Sequence, residues 1–518
     1  MASGRGWVRQ QHVKQPGPAA QTLTLPSASQ TPTSKAQHRC AKISNAASEK
    51  KGQLVRRPIK KKPVFTRTSQ ARYIESLPCE ILLKILSYLD PISLMSVSRV
   101  SKRFCELSKD NVIWYRIYIS SWKVNQRWKY DSEHLLQKKL RDTAISDPEL
   151  GYWKKIFVRE LMMTREKNVT QIMKSVKRYS SGDASVNMQK AVKNSGLTWA
   201  LTFLDVYGKE TVLEHTDVSF RDSSLTLTWN SYIWPELQSL RKIQLHGITP
   251  VLTDKCYKTI KNGLQRLSLI AEYDLKKGRN LGKYIGQDMH VKLFHLHPYL
   301  ILGLWRNGPE IAFVMGTIHY HQLLEKSFLG SAESPYTLSP HVPILDDVDP
   351  EYGLHGYQLH IDLYSGPRTY LCKTFRGLFC RKDYIKNGYL RITAIGLLKN
   401  RMHAPLAGTV SFLWKTLTFS GSIQNCFLMD VTVLDESEKP YWCLSAPVQL
   451  CEGKSSETLY DLMGQSFDLN YRDDIGRVHA ELIWMKETEE HYVINLVLYL
   501  NTEKVNSYFG TNYTDYSC

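Results

Sequence analysis

The chain has 518 residues, of which 42% are hydrophobic and 23% are charged, and its formal net charge is +19 at pH 7. This composition is that of a globular protein with room for about three domains, and it excludes fibrous and wholly disordered classes. No window approaches the roughly 18 consecutive apolar residues of a membrane span, and the first residues contain no apolar run typical of a signal peptide. Ten cysteines are scattered without a CxxC pair, which favours reduced thiols in a cytoplasmic or nuclear protein without a membrane partner.

The N-terminal region, residues 1–72, carries most of the positive charge. It holds 15 lysines or arginines and a single acid, so only +5 remains for the other 446 residues. Because it is also poor in apolar residues, we predict a disordered basic tail. One cluster in it is a candidate nuclear-import signal or phosphate-binding patch, with a solvated leader as the alternative. The cluster consists of Arg56, Arg57, Lys60, Lys61 and Lys62.

Binding of nucleic acid through this tail is the second alternative. Contacts between the lysines and arginines of the tail and nucleic-acid phosphates would be independent of nucleotide sequence and would weaken steeply with salt. No aromatic residue lies between positions 50 and 62, so a platform for base stacking is not predicted there. We therefore do not expect nucleic acid to be a main partner.

Residues 73–122 show a helical pattern that predicts a small all-α unit of three helices. Pro78 suits the first turn of a helix, and Asp90-Pro91 ends that helix and opens the next. Seven of the eleven residues from Cys79 to Leu89 are aliphatic or aromatic. So small a unit cannot bury that much apolar surface internally, and exposed apolar surface of this extent usually marks an interaction site. The first helix is therefore predicted to bind a partner.

The run LPCEILLKILSYLDP at residues 77–91, with the apolar spacing that continues to Trp114, resembles an F-box. Ser101-Lys102 and Phe104 differ mildly from the residues that are commonest there. A basic tail and a β-rich remainder without leucine-rich or WD repeats are similar to the "F-box only" group. The resemblance implies a non-catalytic substrate receptor of an SCF-type ubiquitin ligase. Such a receptor binds the adaptor Skp1, reaches the cullin scaffold and RING subunit through it, and holds a protein substrate, here unknown.

The same resemblance implies an adaptor-binding surface made of apolar residues of this unit. The residues that would dock on Skp1 are Leu77, Pro78, Ile81, Leu82, Ile85, Leu86 and Leu89. The residues that would extend or shape the surface are Leu94, Val97, Val100, Phe104 and Trp114. The alternative is that the first helix packs on the β-rich domain as core.

Residues 123–196 are predicted to form a polar linker and helices, one of them over 152–166 and another near 170–195. From residue 197 to 518 the pattern changes to strands. Eleven runs rich in β-branched and aromatic residues, many of them alternating, are separated by Gly, Pro, Asn or Asp. They predict one large antiparallel domain of the sandwich or barrel type. The fold class is therefore α+β, with a small helical unit, linker helices and a large β-rich domain.

Four histidines are candidates for a metal site in the β-rich domain. His295 and His297 lie in FHLHP, and His319 and His321 lie in HYH. Residues two apart on a strand share a face, and neutral imidazoles bind zinc. Half-exposed polar positions of a strand give the same pattern, and no HExxH, P-loop or GxSxG motif accompanies them. Neither a metal nor a cofactor is expected, and a metal-binding β domain or an F-box scaffold without a ligase role remain alternatives.

A third set of residues is a candidate for the substrate site. Trp229, Tyr232 and Trp234 cluster in WNSYIWP near a predicted strand end. Trp and Tyr are favoured in interface hot spots. Packing in the core is the alternative role for these three side chains.

Overall fold

The computed structural model describes residues 74–124, 149–176, 184–251, 264–275, 281–338, 341–343, 349–396, 404–453 and 464–515. The predicted tail and its import candidates therefore lie outside the described residues. The described part of the chain belongs to one compact unit, Arg72–Cys518. No helix in that part is both long enough and apolar enough to cross a membrane.

Helices form the first part of the described chain. They are α1 (Cys79–Leu86), α2 (Pro91–Val97), α3 (Lys102–Leu107), α4 (Asn111–Val124), α5 (Tyr152–Val176) and α6 (Ala184–Ser195). Asp90 caps α2, because its carboxylate accepts hydrogen bonds from the backbone N–H groups of Ile92 and Ser93 at 3.0 and 3.2 Å. Three helices were predicted for this unit, but Asn111–Val124 forms a fourth helix, which packs on α5. We call α1–α4 the helical unit.

Strands follow from residue 198, and two further helices interrupt or follow them. The first ten strands are β1 (Thr198–Asp205), β2 (Glu210–Glu214), β3 (Asp217–Phe220), β4 (Ser224–Trp229), β5 (Leu240–Pro250), β6 (Gln265–Asp274), β7 (Lys283–Gln287), β8 (Val291–Leu296), β9 (Leu300–Trp305) and β10 (Ile311–His319). The next are β11 (Tyr357–Ser365), β12 (Arg368–Leu378), β13 (Ile385–Lys386), β14 (Tyr389–Ile395), β15 (Ala404–Leu406), β16 (Ser411–Lys415) and β17 (Ser420–Gln424). The last are β18 (Cys426–Leu434), β19 (Pro440–Glu452), β20 (Gln465–Arg472), β21 (Gly476–Met485) and β22 (Glu490–Asn501), and the helices are α7 (Tyr320–Leu329) and α8 (Thr502–Phe509).

The described strands outnumber the eleven predicted runs, and two of the differences have a local explanation. The run TVSFLWKTLTFSG, read as one strand, is the hairpin of β16 and β17. The run LILGLW of β9 is buried on both faces, so it shows no alternation and gives no strand signal of the usual kind.

The strands form four sheets, and every pairing among the described strands is antiparallel. The orders are β2-β1-β5-β6, then β3-β4-β10-β9-β8-β7, then β12-β11-β18-β19-β20-β21-β22-β14-β13 with β15 beside β22, and finally β16-β17. In the largest sheet β12 approaches β14 and β15 near the opposite end, so this sheet curls around its own apolar core. The predicted α+β class with a large antiparallel domain is confirmed.

The sheets also pack on one another. Leu201 and Leu245 of the four-stranded sheet share a core with Leu227 and Val314 of the six-stranded sheet, as in a sandwich. A further core joins the six-stranded sheet to the largest sheet and to the β16–β17 hairpin through Leu293, Leu428 and Phe412. The turn after β4, the β9–β10 turn and the β16–β17 turn lie around one groove as a result.

Candidate functional site

Helix α1 has one buried and one exposed apolar face. Leu82 and Leu86 are 1% and 3% exposed, whereas Ile81 and Ile85 are 50% and 41% exposed. Because the helix turns once in about 3.6 residues, positions 78, 81, 85 and 88 follow one another along its outer side. Tyr88 at the end of that row is 76% exposed. We call Pro78, Ile81, Ile85 and Tyr88 the outer row of α1.

The inner side of α1 belongs to a core shared with the following helices. Leu86, Leu94 and Trp114 lie in one cluster that also includes Trp153 and Phe157 of α5. Each side chain of this size contributes about 1.5–3 kcal/mol when it is buried. The segment before α1 is held in addition by Arg103, whose Nη2 donates to the Leu77 carbonyl at 2.8 Å. The outer row is therefore presented on a well-packed support.

Helix α4 and helix α5 are joined by aromatic and polar contacts. The ring centroids of Trp114 and Phe157 lie 5.6 Å apart, and the Lys154 ammonium lies 5.9 Å from the Trp114 ring centre. The Tyr118 hydroxyl donates to a carboxylate oxygen of Glu160 at 2.9 Å. The helical unit is thus fixed to α5 by side chains that are largely withdrawn from water.

Helix α5 in turn contacts the β-rich part of the chain. Arg165 Nη1 donates to the Pro250 carbonyl at the end of β5, at 2.9 Å. Leu264, next to β6, lies in the same apolar cluster as the helical unit. The arrangement connects the outer row of α1 to the sheets through packed elements.

A groove of about 610 Å³ opens on the β-rich domain. Its walls come from residues 231–238, from the β9–β10 turn and from the β16–β17 turn, three segments that are far apart in sequence. Tyr232 and Ile233 at its mouth are 80% and 84% exposed. Leu417 on the opposite turn is 46% exposed. We call this site the aromatic groove.

Two tryptophans of the aromatic groove are anchored from behind. The Trp234 and Phe203 rings meet edge to face with centroids 6.0 Å apart. Trp305 packs against Trp414 at 6.2 Å, and the Trp414 indole N–H donates to a carboxylate oxygen of Asp288 at 2.6 Å. Edge-to-face pairs of this kind hold ring orientations. Both walls are therefore preformed.

The charge at the aromatic groove is acidic. Glu236 and Glu310 are the charged residues among those that line it, and both are exposed. Neither carboxylate forms a salt bridge within the described part of the chain. The groove thus combines exposed apolar side chains with two solvated negative charges.

Known proteins match both the helical unit and most of the chain. An F-box-like family model matches residues 74–120. F-box only protein 15 of Homo sapiens is 44% identical over 443 residues, which cover 85% of this chain and 86% of the human protein. F-box only protein 15 of Bos taurus is 38% identical over 85% of this chain and 94% of its own length. The chain belongs to the F-box only protein 15 family.

F-box only protein 15 of Mus musculus is also similar, with 37% identity over 84% of this chain and 100% of the mouse protein. The resemblance to the "F-box only" group that the sequence indicated is confirmed by these relatives. The helical unit is accordingly called the F-box below.

The twelve residues predicted for the adaptor surface divide into three groups in the folded F-box. The buried ones are Leu82, Leu86, Leu94, Phe104 and Trp114. The half-buried ones are Leu77, Leu89 and Val97. The exposed ones are Pro78, Ile81, Ile85 and Val100. An alternating or helical pattern marks apolar positions, but it does not say which face the next helix covers.

The three residues predicted for a substrate site also separate. Trp229 is fully buried in the core between the four- and six-stranded sheets. It therefore has the alternative role, packing in the core. Tyr232 and Trp234 line the aromatic groove. Ile233, Trp305, Leu417 and Glu310 were missed by the sequence reasoning. Ile233 lies inside WNSYIWP and could have been included, whereas the others come from a strand end and turns that carry no motif.

The histidines considered for a metal site have different surroundings in the folded chain. His319 caps α7, since its Nδ1 accepts from the His321 backbone N–H at 3.2 Å, and its Nε2 lies 2.8 Å from Thr432 Oγ1. Both ring nitrogens are therefore occupied. His295 is buried, and burial lowers its pKa to about 4. His297 is exposed beside it, with ring centroids 5.8 Å apart. The described residues contain no group of three or more metal-ligating side chains.

The cysteines largely follow the expectation of free thiols. Cys79, Cys372, Cys380, Cys426, Cys443 and Cys451 are free. Cys105 departs from it, because it is disulfide-bonded.

Proposed function

We propose that this F-box only protein is the substrate-recognition subunit of an SCF-type ubiquitin ligase. Its F-box binds Skp1, and Skp1 connects it to the cullin and the RING subunit. Its β-rich domain holds the target protein. The chain makes and breaks no bond itself. It raises the effective concentration of a target lysine near the ubiquitin thioester, so that transfer proceeds almost as an intramolecular step.

The observation that carries the proposal is the two-faced α1. Ile81 and Ile85 of the outer row remain exposed while Leu82 and Leu86 are buried behind them. Covering an isoleucine side chain contributes about 1.5–3 kcal/mol, so an apolar row of this kind is stabilised by a partner. The adaptor surface is accordingly the outer row, with Val100 as an exposed neighbour in sequence after α2. The five buried residues of the predicted set support it from behind.

The connection between the two ends supports the same proposal. A receptor of this type works only if the distance between adaptor and target is limited, because effective concentration falls when the linking element is long and flexible. The Trp114–Phe157 and Tyr118–Glu160 contacts tie the F-box to α5. The Arg165–Pro250 hydrogen bond ties α5 to β5. These contacts hold the target-binding domain at a restricted distance from the adaptor.

Co-purification with Skp1 tests the proposal. The full chain is expressed with Skp1 as wild type and as Ile81→Asp/Ile85→Asp. We expect the wild type to retain Skp1 and the double variant to lose at least tenfold in affinity, since two charges would be placed in an apolar interface. The variant should keep its folded state because both side chains are exposed.

Val186→Asp is the matched control. Val186 of α6 is 46% exposed, as exposed as the two isoleucines, but it lies outside the F-box. The Val186→Asp variant should bind Skp1 as the wild type does. If the folded wild type does not retain Skp1, or if Ile81→Asp/Ile85→Asp binds as well as wild type, the proposed receptor role is wrong.

A further inference from the structure

We propose that the aromatic groove is the docking site for a short extended segment of a partner protein, in which a bulky apolar side chain is flanked by lysine or arginine. The inference deepens the proposed function and rests on it, because the partner is then the target that the ligase modifies. Two independent properties of the groove carry the inference, namely its exposed apolar mouth and its unpaired carboxylates.

The exposed apolar mouth indicates a partner that removes it from water. Tyr232 and Ile233 are adjacent and more than three quarters exposed, at 80% and 84%. Leu417 and Phe419 on the facing turn are 46% and 59% exposed. Single exposed apolar residues are common, but Tyr232, Ile233 and Leu417 line one concave site, and Phe419 adjoins it through its contact with Trp305. Together they form a patch of the kind that binds proteins. Tyr and Trp are also the residues that most often dominate such interfaces.

The preformed walls indicate that binding orders little of the receptor. Trp234 is backed by Phe203, and Trp305 is held between Trp414 and Phe419 at centroid distances of 6.2 and 5.8 Å. A site whose aromatic side chains are already oriented loses less conformational entropy on binding. An apolar side chain of the partner enters between these two walls.

The carboxylates define the flanking chemistry. Glu236 lies on the first wall and Glu310 on the β9–β10 turn, and neither forms a salt bridge in the described part of the chain. Arg306 of the same turn is directed elsewhere, since its Nη1 donates to the Asp288 carbonyl oxygen at 3.3 Å. Negative charge on both sides of an apolar groove attracts a basic segment and repels an acidic one.

Selection from a phage-displayed library of random dodecapeptides tests the inference, with the full chain as bait. We expect enriched peptides to carry Phe, Leu, Met or Trp close to Lys or Arg. A fluorescein-labelled copy of the most enriched peptide should bind Tyr232→Ser/Ile233→Ser at least tenfold more weakly in fluorescence anisotropy. Repeating the selection on Glu236→Lys/Glu310→Lys should replace the basic residues of the enriched peptides by Asp or Glu.

Matched controls separate the site from general surface effects. Tyr207 is 89% exposed on the turn after β1, so Tyr207→Ser removes an equally exposed tyrosine elsewhere. Glu487 is exposed on the turn between β21 and β22, so Glu487→Lys makes the same change of charge away from the groove. Both controls should bind the labelled peptide as the wild type does. Enrichment without apolar and basic residues, or equal binding by Tyr232→Ser/Ile233→Ser, would overturn the inference.

Two other occupants are distinguished in the same experiments. Enrichment of peptides that match RRPIKKKPVF, residues 56–65 of this chain, would assign the groove to the chain's own tail and overturn a partner as occupant. Dimerisation of the wild type that Tyr232→Ser/Ile233→Ser abolishes, measured by light scattering, would assign it to a second copy. Skp1 binding of every variant is measured in parallel. Peptide binding without Skp1 binding would refute the ligase role alone, and Skp1 binding without peptide binding would refute the groove alone.

Discussion

Asp362 and Asp430 lie directly opposite each other on the neighbouring strands β11 and β18. Asp430 is fully buried and accepts hydrogen bonds from the hydroxyls of Ser224 and Ser445 at 2.6 and 2.5 Å. One oxygen of Asp362 is buried and has no hydrogen-bond partner among the described residues. Burial raises the pKa of Asp430 to about 7 and that of Asp362 to about 6. Two carboxylates thus face each other where the six-stranded and the largest sheet meet.

This pair predicts that stability falls as the pH rises towards 7. Between the ordinary pKa of 3.8 and the folded value of about 7, the unfolded chain ionises at this position while folded Asp430 keeps its proton. Folding then takes up a proton, so the free energy of unfolding falls with rising pH, by on the order of 4 kcal/mol for Asp430. The Asp430→Asn variant should lack this pH dependence of the free energy of unfolding. Its thermal midpoint should therefore fall less between about pH 5 and about pH 8 than that of the wild type.

The matched control for that measurement is Asp217→Asn on the exposed position of β3, which should change with pH as the wild type does. Buried histidines have the opposite effect, since they lower stability as the pH falls. The quantity compared at each pH is therefore the difference in thermal midpoint between a variant and the wild type. Identical pH profiles for Asp430→Asn and wild type would show that Asp430 is ionised in the folded chain.

His319 predicts a separate loss of stability in acid. Burial lowers its pKa from 6.5 to about 3, so the unfolded chain takes up a proton below pH 6.5 that the folded chain does not, and stability is lost as the pH falls. His319→Asn keeps a side chain that caps a helix N-terminus well but cannot titrate. We expect its thermal midpoint to decrease less than that of the wild type on going from pH 6.5 to pH 4.5. Exposed His290→Asn should behave as the wild type.

The two faces of α1 predict opposite results for neighbouring substitutions. Leu82→Ala removes a side chain that is 1% exposed and should destabilise the F-box by about 2–5 kcal/mol, because it leaves a cavity. Ile81→Ala, at a side chain that is 50% exposed, should change stability by about 0.5 kcal/mol or less. Amide hydrogen exchange across residues 79–107 should be faster in Leu82→Ala alone. Equal exchange in both variants would mean that the two faces are not distinguished in solution.

The junction of α4 and α5 predicts a further difference between two tyrosines. Tyr118→Phe removes the hydroxyl that donates to Glu160 at 2.9 Å and should cost about 1–3 kcal/mol, since a hydrogen bond to a carboxylate is lost in a partly buried place. The rings of Tyr115 and Trp153 lie 4.9 Å apart, and the Tyr115 hydroxyl forms no hydrogen bond within the part of the chain that the structure describes. Tyr115→Phe should therefore be nearly neutral. Exchange of the α4 and α5 amides distinguishes the two variants, and equal protection would show that the Glu160 bond does not stabilise the junction.

Local sequence chemistry determined much of this protein. Asp90-Pro91 specified the boundary between α1 and α2, because an aspartate caps and a proline begins a helix without loss of hydrogen bonds. The β-branched and aromatic runs after residue 197 determined an antiparallel β-rich domain. The spacing of LPCEILLKILSYLDP, which lies within one continuous segment, was enough to indicate the F-box.

Only the tertiary structure decided which apolar residues are available to a partner. Ile81 and Leu82 are equivalent in a pattern of apolar positions, but in the folded chain Leu82 is buried and Ile81 is exposed. The aromatic groove brings Tyr232, Trp305 and Leu417 together from three segments that are far apart in sequence. Contacts between residues so distant in sequence depend on the order in which strands pair and sheets stack, and no local pattern contains that information.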